Sequence, residues 1–250
     1  MFTGFIAGMK PITSTEINNL KTAIQYFQDC YLVSSVSALA RSSNGRKFLA
    51  ENIAHTKDGY RIKFNNINGK AKDFFVSQKE TDDLVYLDKY MNPMPLTQPH
   101  NPVIKAIEVA MNKLLTQFPS KKPWICRFPD CNEKFEFNKP SNFLELFTGK
   151  KPMILNESSF RTSLKSKQKE SIEIFDKIAQ QPDNSFVTGT AFGFHKGLSD
   201  NHCYTVIKAD KQSETIEFFD HRFLDTITFT YDEAIKKLKF IVGYFNKDLI

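Results

Sequence analysis

The sequence has little of what crosslinks, exports or anchors a protein. Four cysteines in 250 residues are too few for a disulfide framework. No apolar run approaches the ~20 residues that a membrane-spanning helix needs. Residues 1–16 hold only a brief apolar patch with no basic stretch before it, unlike a cleaved secretory signal. These absences predict a soluble protein of a reducing, cytoplasmic compartment, without a membrane span.

Internal repeats, low-complexity tracts and acidic loops of calcium-binding spacing are also missing from the sequence. The net charge is +6, yet the basic residues are scattered, and their densest cluster, residues 165–169, is typical of a solvated helix face. We therefore expect no nucleic-acid partner. With 41% hydrophobic residues the chain can bury a substantial core, either as one large domain or as two lobes.

The two parts of the chain differ in their apolar periodicity. The first is predicted to be mainly helical, with one hairpin joined by an Asn68-Gly69 turn. Its predicted elements are a helix over residues 29–43 ended by Asn44-Gly45, strands over 60–64 and 73–77, a helix from Pro102 capped by Asn101, and a helix over 158–181. After Pro182 the pattern predicts strands over 185–190, 202–209, 215–220 and 226–230, a helix over 231–238 and a strand over 239–245. This order predicts an α+β fold.

Cys30 is the first candidate functional residue. It follows Asp29, an acid suited to capping, at the start of the helix predicted over residues 29–43. There the unsatisfied main-chain N–H groups and the helix dipole favour a thiolate over a thiol. A thiolate is the nucleophilic form of cysteine, so the position suits a catalytic residue. An inert cysteine in a core helix fits the position equally well.

His202 and Asp220 could supply the base and the orienting acid that such a nucleophile needs. His202 begins one predicted strand and Asp220 ends the next, so hairpin pairing would put the two side chains next to each other. The acid would hold the imidazole in one tautomer, leaving its other nitrogen to serve the thiol of Cys30. We expect the remaining histidines to be surface or turn residues: His55, His100, His195 and His221.

Two short motifs around Cys30 and His202 carry a resemblance to a known family. One is Gln25-Tyr26-Phe27-Gln28-Asp29-Cys30-Tyr31-Leu32, and the other is Asn201-His202-Cys203-Tyr204-Thr205-Val206. They are similar to Gln-Gly-x-x-Gly-Asp-Cys-Trp-Leu and Gly-His-Ala-Tyr-Ser-Val of the calpain-like cysteine proteases, within the papain-like superfamily. Further similar stretches follow in the family's order from about residue 20 to 245. The resemblance implies one calpain-like catalytic core over residues 1–250, with a papain-like two-lobed fold. Its helical lobe (about 20–182) would contain a central nucleophile helix, and its antiparallel β lobe would span about 183–250.

The chain departs from the family at the third catalytic residue. The family has Asn followed by Pro-Trp, whereas this chain has Asp220 followed by His221-Arg222. An Asp can orient His202 at least as well, but the tryptophan that shields the hydrogen bond is missing. The calcium-sensing and β-sandwich modules of typical calpains have no counterpart in the sequence, so calcium dependence is not expected.

The oxyanion-hole glutamine is the second departure. In the family it lies six residues before the cysteine, where this chain has Ile24. Gln25 is one place closer and would need a shorter loop, and Gln28, at the family's glycine position, is a lesser candidate. The main-chain N–H of Cys30 would be the second donor.

These residues predict a cysteine endopeptidase that cleaves protein or peptide substrates through a thioester. Cys30, His202, Asp220 and Gln25 would be its catalytic residues. A transglutaminase- or deamidase-type acyl transferase on the same triad is an alternative, and a catalytically decayed interaction module is a second one. A minimal core of this kind would suit a microbial effector delivered to a host cell without a cleaved signal peptide.

Residues 124–135 look like the first half of a Cys2His2 zinc finger, with Cys126 and Cys131 at finger spacing. The two histidines that should follow are missing, since no histidine occurs between His100 and His195. A structural zinc site needs four ligands. We therefore expect neither metal nor cofactor, and predict a surface hairpin whose two cysteines could pair under oxidation.

Overall fold

The computed structural model describes residues 8–25, 29–84, 101–117, 139–156, 164–190, 198–199 and 202–249. The helices of this part are α1 (Ser14–Leu20), α2 (Cys30–Arg41), α3 (Ser43–Asn52), α4 (Gln78–Asp82), α5 (Pro102–Gln117), α6 (Pro140–Thr148), α7 (Gln168–Gln180) and α8 (Tyr231–Lys237). The strands are β1 (Lys10–Pro11), β2 (Ile53–Thr56), β3 (Gly59–Ile67), β4 (Lys70–Ser77), β5 (Met153–Leu155), β6 (Asn184–Thr190), β7 (Cys203–Asp210), β8 (Thr215–Asp220), β9 (Asp225–Thr230) and β10 (Leu238–Phe245).

The strands form two antiparallel sheets, so the fold is mixed α+β, as predicted. The first sheet has the order β1-β2-β3-β4, and the second has the order β5-β10-β6-β7-β8-β9. The predicted hairpin at Asn68-Gly69 is β3–β4, and the strands predicted after Pro182 are β6 to β10. The sequence patterns missed β1, β2 and β5, which are short and carry little alternation. The first part of the chain therefore holds a four-stranded sheet, of which the prediction included only the β3–β4 hairpin.

Helix α2 lies at the centre of the described structure. All its residues from Tyr31 to Ala40 are buried, and it packs against β6 and β7 on one side and α3 and α6 on another. Its small polar residues are accommodated because each finds a main-chain acceptor: the Ser34 hydroxyl donates to the Cys203 carbonyl (3.0 Å), and the Ser37 hydroxyl donates to the Lys21 carbonyl (2.9 Å). Because these buried side chains are small, the sheet can approach the start of α2 and Cys30 closely.

The predicted end of this helix at Asn44-Gly45 is wrong. Helix α2 ends at Arg41, and α3 begins two residues later, with Asn44 and Gly45 in its first turn. The Ser42 hydroxyl caps α3 by accepting from the Gly45 N–H (3.0 Å). A Cβ on Gly45 would lie 2.1 Å from the Leu39 carbonyl oxygen, so glycine marks a close helix–helix approach here rather than a helix stop.

The six-stranded sheet has a core on each face. One face packs on α2, within the core that also contains α5, α6 and the first sheet. The other face is covered by α7 and α8 through a second core that includes Phe175, Tyr204, Phe218 and Ile235. Edge strand β5 and cover helix α7 precede residue 183, so this layer begins before the predicted β lobe. Among the described residues, no helix combines the length and apolarity needed to cross a membrane.

The long helix α5 and the basic segment 165–169 behave as predicted. The Asn101 side chain caps α5 by accepting from the main-chain N–H groups of Val103 (3.0 Å) and Ile104 (3.3 Å). Residues 165–169 are all exposed, whereas Leu164 beside them is buried in the second core. This separation agrees with a solvated basic face.

Candidate active site

Cys30 is the first residue of α2 and is partly exposed. The preceding Asp29 occupies the cap position, but its side chain makes no capping hydrogen bond, contrary to the prediction. Its carbonyl accepts instead from the N–H groups of Leu32 (2.8 Å) and Val33 (3.2 Å). The Asp29 carboxylate therefore does not accept from the N-terminal amides of α2, and the start of a helix favours a thiolate at Cys30.

The hairpin of β7 and β8 brings His202 and Asp220 together. Thr205 pairs with Phe219 across the two strands, so the residues at their adjoining ends meet. Nε2 of His202 lies 3.0 Å from Oδ1 of Asp220. Both residues are buried, with 4% of His202 and 2% of Asp220 exposed. Since a carboxylate only accepts, Nε2 carries the proton, and Nδ1 is the nitrogen left for another partner.

Cys30 adjoins this ring, since the thiol and the imidazole are close enough for each to shift the pKa of the other. The structure therefore brings three of the predicted residues into one chain of contacts, from Cys30 through His202 to Asp220. Their order matches the predicted roles of nucleophile, base and orienting acid.

The charges in this chain of contacts stabilise one another. A hydrogen bond from the Cys203 side chain and the neighbouring His202 cation lower the pKa of Cys30 well below that of a free thiol, although burial opposes them. Burial alone would lower the pKa of His202, but the hydrogen bonds to Asp220 and Cys30 and their negative charges raise it to about 9. At neutral pH these shifts favour a thiolate–imidazolium pair.

Asp220 is held as a carboxylate by the turn that follows β8. Its Oδ1 accepts from the Arg222 N–H (2.8 Å) as well as from His202, and the Phe223 N–H is close enough to help lower the pKa of the carboxyl. Burial would raise the pKa of Asp220, but these hydrogen bonds and the His202 cation lower it. The turn therefore fixes both the charge and the direction of the acid.

The main chain of His202 is fixed by β6. Its N–H donates to the Thr190 hydroxyl (3.2 Å), and its carbonyl accepts from the Thr190 N–H (3.0 Å). Gly189 allows this close approach, since a Cβ there would lie 2.7 Å from the His202 carbonyl oxygen. The edge of the His202 ring meets the Tyr204 ring, with centroids 4.8 Å apart and planes at 89°. These contacts restrict the ring from two sides.

Burial of the His202–Asp220 hydrogen bond is achieved without the tryptophan of the calpain-like pattern. Beside Asp220 is a surface cavity of about 370 Å³, lined also by Leu198, Ser199, Phe223, Asp225 and Ile227. Phe223 is 67% exposed at the rim of this cavity. An aromatic side chain is thus present three residues after the acid, although it does not follow the Pro-Trp pattern.

The predicted oxyanion segment is only partly within the described residues. The main-chain N–H of Gln25 donates to the His221 carbonyl (2.9 Å), which anchors this segment beside the turn after Asp220. The side chain of Gln25 is half-buried, and Ile24 before it is also half-buried. Gln28 lies outside the described residues, as does the zinc-finger-like segment with Cys126 and Cys131. The roles of both glutamines stay predictions.

His221 is in a turn, which agrees with the prediction of a surface or turn residue, but it is fully buried. Its Nδ1 donates to the Ala23 carbonyl (2.7 Å), and its Nε2 lies 2.8 Å from the Thr205 hydroxyl. Burial, with the positive charges of Arg41 and His202, lowers its pKa to about 4, so the ring is neutral at neutral pH. The Thr205 hydroxyl beside Nε2 also donates to the Ser34 carbonyl (2.9 Å). His221 thereby ties the segment before Cys30 to β7.

Sequence reasoning missed two further residues of the site, Cys203 and Thr190. Cys203 follows His202 directly, and strand alternation would have pointed its side chain at α2 once β7 was placed on that helix. Thr190 carries no such signal, because its role depends on the pairing of β6 with β7. In the described part of the chain, no group of three or more His, Cys, Asp or Glu side chains is arranged to hold a metal ion.

No protein-family model matches this chain, and no curated protein matches it in sequence. The calpain-like resemblance therefore stays a prediction based on the two motifs. The function of Cys30, His202 and Asp220 is therefore inferred from their own geometry and charges.

Proposed function

We propose that this protein is a cysteine endopeptidase of papain-like, two-lobed architecture that acts through Cys30, His202 and Asp220. The observation that supports the proposal is the contact of the Cys30 thiol with a buried histidine whose Nε2 lies 3.0 Å from a buried carboxylate. A structural cysteine needs no such neighbours, whereas a thiol nucleophile needs a base held in one tautomer.

In the proposed reaction the Cys30 thiolate attacks the carbonyl carbon of a peptide bond. The electron pair moves to the carbonyl oxygen, and the resulting oxyanion is stabilised by the Cys30 N–H at the start of α2. Gln25 is the proposed second donor. His202, already an imidazolium, gives its Nδ1 proton to the departing amine, and the acyl group stays on Cys30 as a thioester.

Hydrolysis of the thioester restores the site. The neutral His202 then removes a proton from a water molecule that attacks the acyl carbon, and the thiolate leaves with the electron pair of the broken bond. Asp220 contributes by keeping Nε2 protonated and by stabilising the imidazolium in both halves of the reaction. The chemistry requires no metal or cofactor.

The decisive experiment tests whether Cys30 is the reactive thiol. Wild-type protein treated with an epoxysuccinyl reagent should become labelled at Cys30 faster than at any other cysteine, and peptide mapping identifies the site. Cys30→Ala should abolish hydrolysis of a denatured-protein substrate while circular dichroism stays unchanged. Cys126→Ala is the matched control and should retain both labelling and activity. Hydrolysis that survives in Cys30→Ala would rule out the proposal.

An acyl transferase acting on glutamine side chains is the second candidate. The third residue of the site is a carboxylate, Asp220, rather than the Asn of the calpain-like pattern, and Cys-His-Asp sites also serve transglutaminases and deamidases. Mass spectrometry of candidate substrates separates the two reactions. A cut main chain supports the peptidase, whereas an intact chain with a modified glutamine supports the transferase.

A further inference from the structure

A second thiol, that of Cys203, adjoins the proposed nucleophile. Cys203 begins β7, and its side chain is in the core that contains α2, whereas Tyr204 next to it points into the opposite core. The Ser34 hydroxyl, one turn after Cys30 on α2, donates to the Cys203 carbonyl (3.0 Å) and ties the two element starts together. The Cys203 side chain is close enough to Cys30 to lower the pKa of the Cys30 thiol.

In the proposed hydrolysis the Cys203 thiol takes part in no bond that is made or broken, and it acts only by lowering the pKa of Cys30. His202 serves as acid and base, Asp220 orients it, and the Cys30 N–H is an oxyanion donor. Cys203 is 8% exposed and would act as a small apolar side chain if it had only a packing role. Alanine would fill that role without placing an oxidisable sulfur against a thiolate.

We propose that Cys30 and Cys203 form a reversible disulfide when the protein meets hydrogen peroxide. The bond would block Cys30 and protect it from irreversible oxidation. Formation of the bond depends only on the two thiols; that it switches off catalysis rests on the proposed function. Intracellular disulfides of this transient kind are compatible with a reducing compartment.

The chemistry takes place in two balanced steps. The Cys30 thiolate attacks one oxygen of hydrogen peroxide, the O–O bond breaks, and a sulfenic acid and hydroxide form. The Cys203 sulfur then attacks the Cys30 sulfur, the S–O bond breaks, and the Cys203 proton leaves with the departing hydroxide as water. Both thiols are oxidised to a disulfide, and one peroxide molecule is reduced to water.

The difference in exposure between the two thiols sets the order of these steps. Cys30 is partly exposed and Cys203 is buried, so peroxide meets Cys30 first. The neighbouring Cys203 can then trap the sulfenic acid before a second peroxide converts it to sulfinic acid. Closure brings the two neighbouring sulfurs to the bond length of about 2.0 Å. Reduction by a small thiol reverses it.

The test uses the full chain with Cys126→Ser and Cys131→Ser, so that of its four cysteines only Cys30 and Cys203 remain. The protein is treated with hydrogen peroxide, alkylated with N-ethylmaleimide, digested without reductant and analysed by mass spectrometry. We expect a crosslinked peptide pair joining Cys30 to Cys203, loss of epoxysuccinyl labelling, and recovery of labelling after dithiothreitol.

A further Cys203→Ala substitution removes the resolving thiol. In that variant we expect peroxide to carry Cys30 to sulfinic acid, with labelling that dithiothreitol does not restore. Cys203→Ser keeps the size and polarity of the side chain and gives the same result if Cys203→Ala folds poorly. If Cys30 reaches sulfinic acid equally fast with Cys203 present, and no crosslink appears, the proposal is wrong. A crosslink in a protein without hydrolytic activity would support the disulfide and contradict the peptidase.

Discussion

The two histidines at the ends of the β7–β8 hairpin are similarly buried, but their pKa values are shifted in opposite directions. His202 is 4% exposed and its pKa is raised to about 9, whereas His221 is 0% exposed and its pKa is lowered to about 4. Burial lowers the pKa of both rings. The difference comes from their partners, since His202 faces the Asp220 carboxylate and Cys30, whereas His221 faces a carbonyl and a hydroxyl.

This comparison separates the histidine of the proposed catalytic site from a structural one on physical grounds. A neighbouring negative charge offsets the desolvation of an imidazolium, but a neutral acceptor does not offset it fully. His202 can therefore hold a proton at neutral pH and deliver it, whereas His221 stays neutral and fixes the main chain around it. The following predictions test this division, beginning with the largest expected effect.

The first prediction is that His202→Ala removes the reactivity of Cys30. Without the imidazolium the pKa of the thiol returns toward that of a free cysteine, which is about 8.5, so near pH 6 the thiolate becomes roughly 300-fold scarcer than for a fully ionised thiol. Iodoacetamide labelling of Cys30 should slow by about two orders of magnitude or more at that pH. Hydrolysis should fall by at least ~10³-fold, since both base and acid are lost.

His55→Ala is the control for this comparison. His55 is a partly buried histidine paired with Glu16 at the first sheet, and it takes no part in the proposed chemistry. Its removal should leave labelling of Cys30 unchanged. If His202→Ala also leaves the labelling rate unchanged, the thiolate–imidazolium pair does not exist.

The second prediction concerns the acid stability contributed by His221. Its folded pKa of about 4 lies below the unfolded value of about 6.5, so the unfolded chain binds the proton first. The stability that the neutral His221 contributes is present above about pH 6.5 and is lost as the pH falls toward about 4. Integrated over this window the loss is about 3 kcal/mol in the free energy of unfolding.

Urea unfolding at a series of pH values measures this loss. A Cys30→Ala background is needed, because the Cys30 thiolate of the folded chain also takes up a proton when the protein unfolds in acid. In that background His221→Gln should flatten the decline between about pH 6.5 and pH 4, whereas His55→Gln should not. An equally steep decline in both variants would mean that the folded protein accommodates a protonated His221.

These two histidines also show what the sequence could and could not predict. Strand periodicity located β7 and β8 closely enough to pair His202 with Asp220, because the side-chain period of a strand is short and the hairpin connection is local. The same reasoning predicted His221 to be a surface or turn residue and did not predict that it is buried. Its burial depends on Ala23, which is distant in sequence and comes close only after α2 docks on the sheet.

The helical part of the chain shows the same limit. The periodicity of α2 and α5 was sufficient to predict both helices, but Asn44-Gly45 indicated a helix end that α3 overrides by packing against Leu39. The contact between Cys30 and Cys203 is likewise non-local, and no spacing rule identifies it. Local patterns therefore predicted most of the helices and strands and the pairing of His202 with Asp220, whereas tertiary packing determined the residues that hold this pair in position.

The third prediction separates the charge of Asp220 from its geometry. Asp220→Asn keeps an oxygen for Nε2 but removes the negative charge, so the pKa of His202 should fall from about 9 by about one unit. Because the pKa of His202 is lower in this variant, its imidazolium loses the proton at a lower pH than in the wild type. The alkaline limb of epoxysuccinyl inactivation should therefore move down by about one pH unit.

Asp220→Ala is the comparison variant, since it removes the oxygen as well as the charge. It should slow inactivation at neutral pH by a further tenfold or so, because the His202 ring loses the acceptor that orients it. Identical pH profiles for wild type and Asp220→Asn would show that the carboxylate does not set the titration of His202.

The smallest expected effect belongs to Tyr204→Phe, which tests whether packing rather than charge controls His202. The Tyr204 ring meets the His202 ring edge, while its hydroxyl exchanges hydrogen bonds with the Ser199 N–H (2.8 Å) and carbonyl (3.3 Å). Phenylalanine keeps the ring and loses the hydroxyl, so the free energy of unfolding should decrease by about 1 kcal/mol. The pH profile of Cys30 inactivation should stay that of wild type, because Asp220 and the thiolate, not the ring, raise the pKa of His202. A shift of the alkaline limb in this variant would mean that the position of residues 198–199 contributes to the raised pKa of His202. The difference between His202 and His221 would then come from packing as well as from charge.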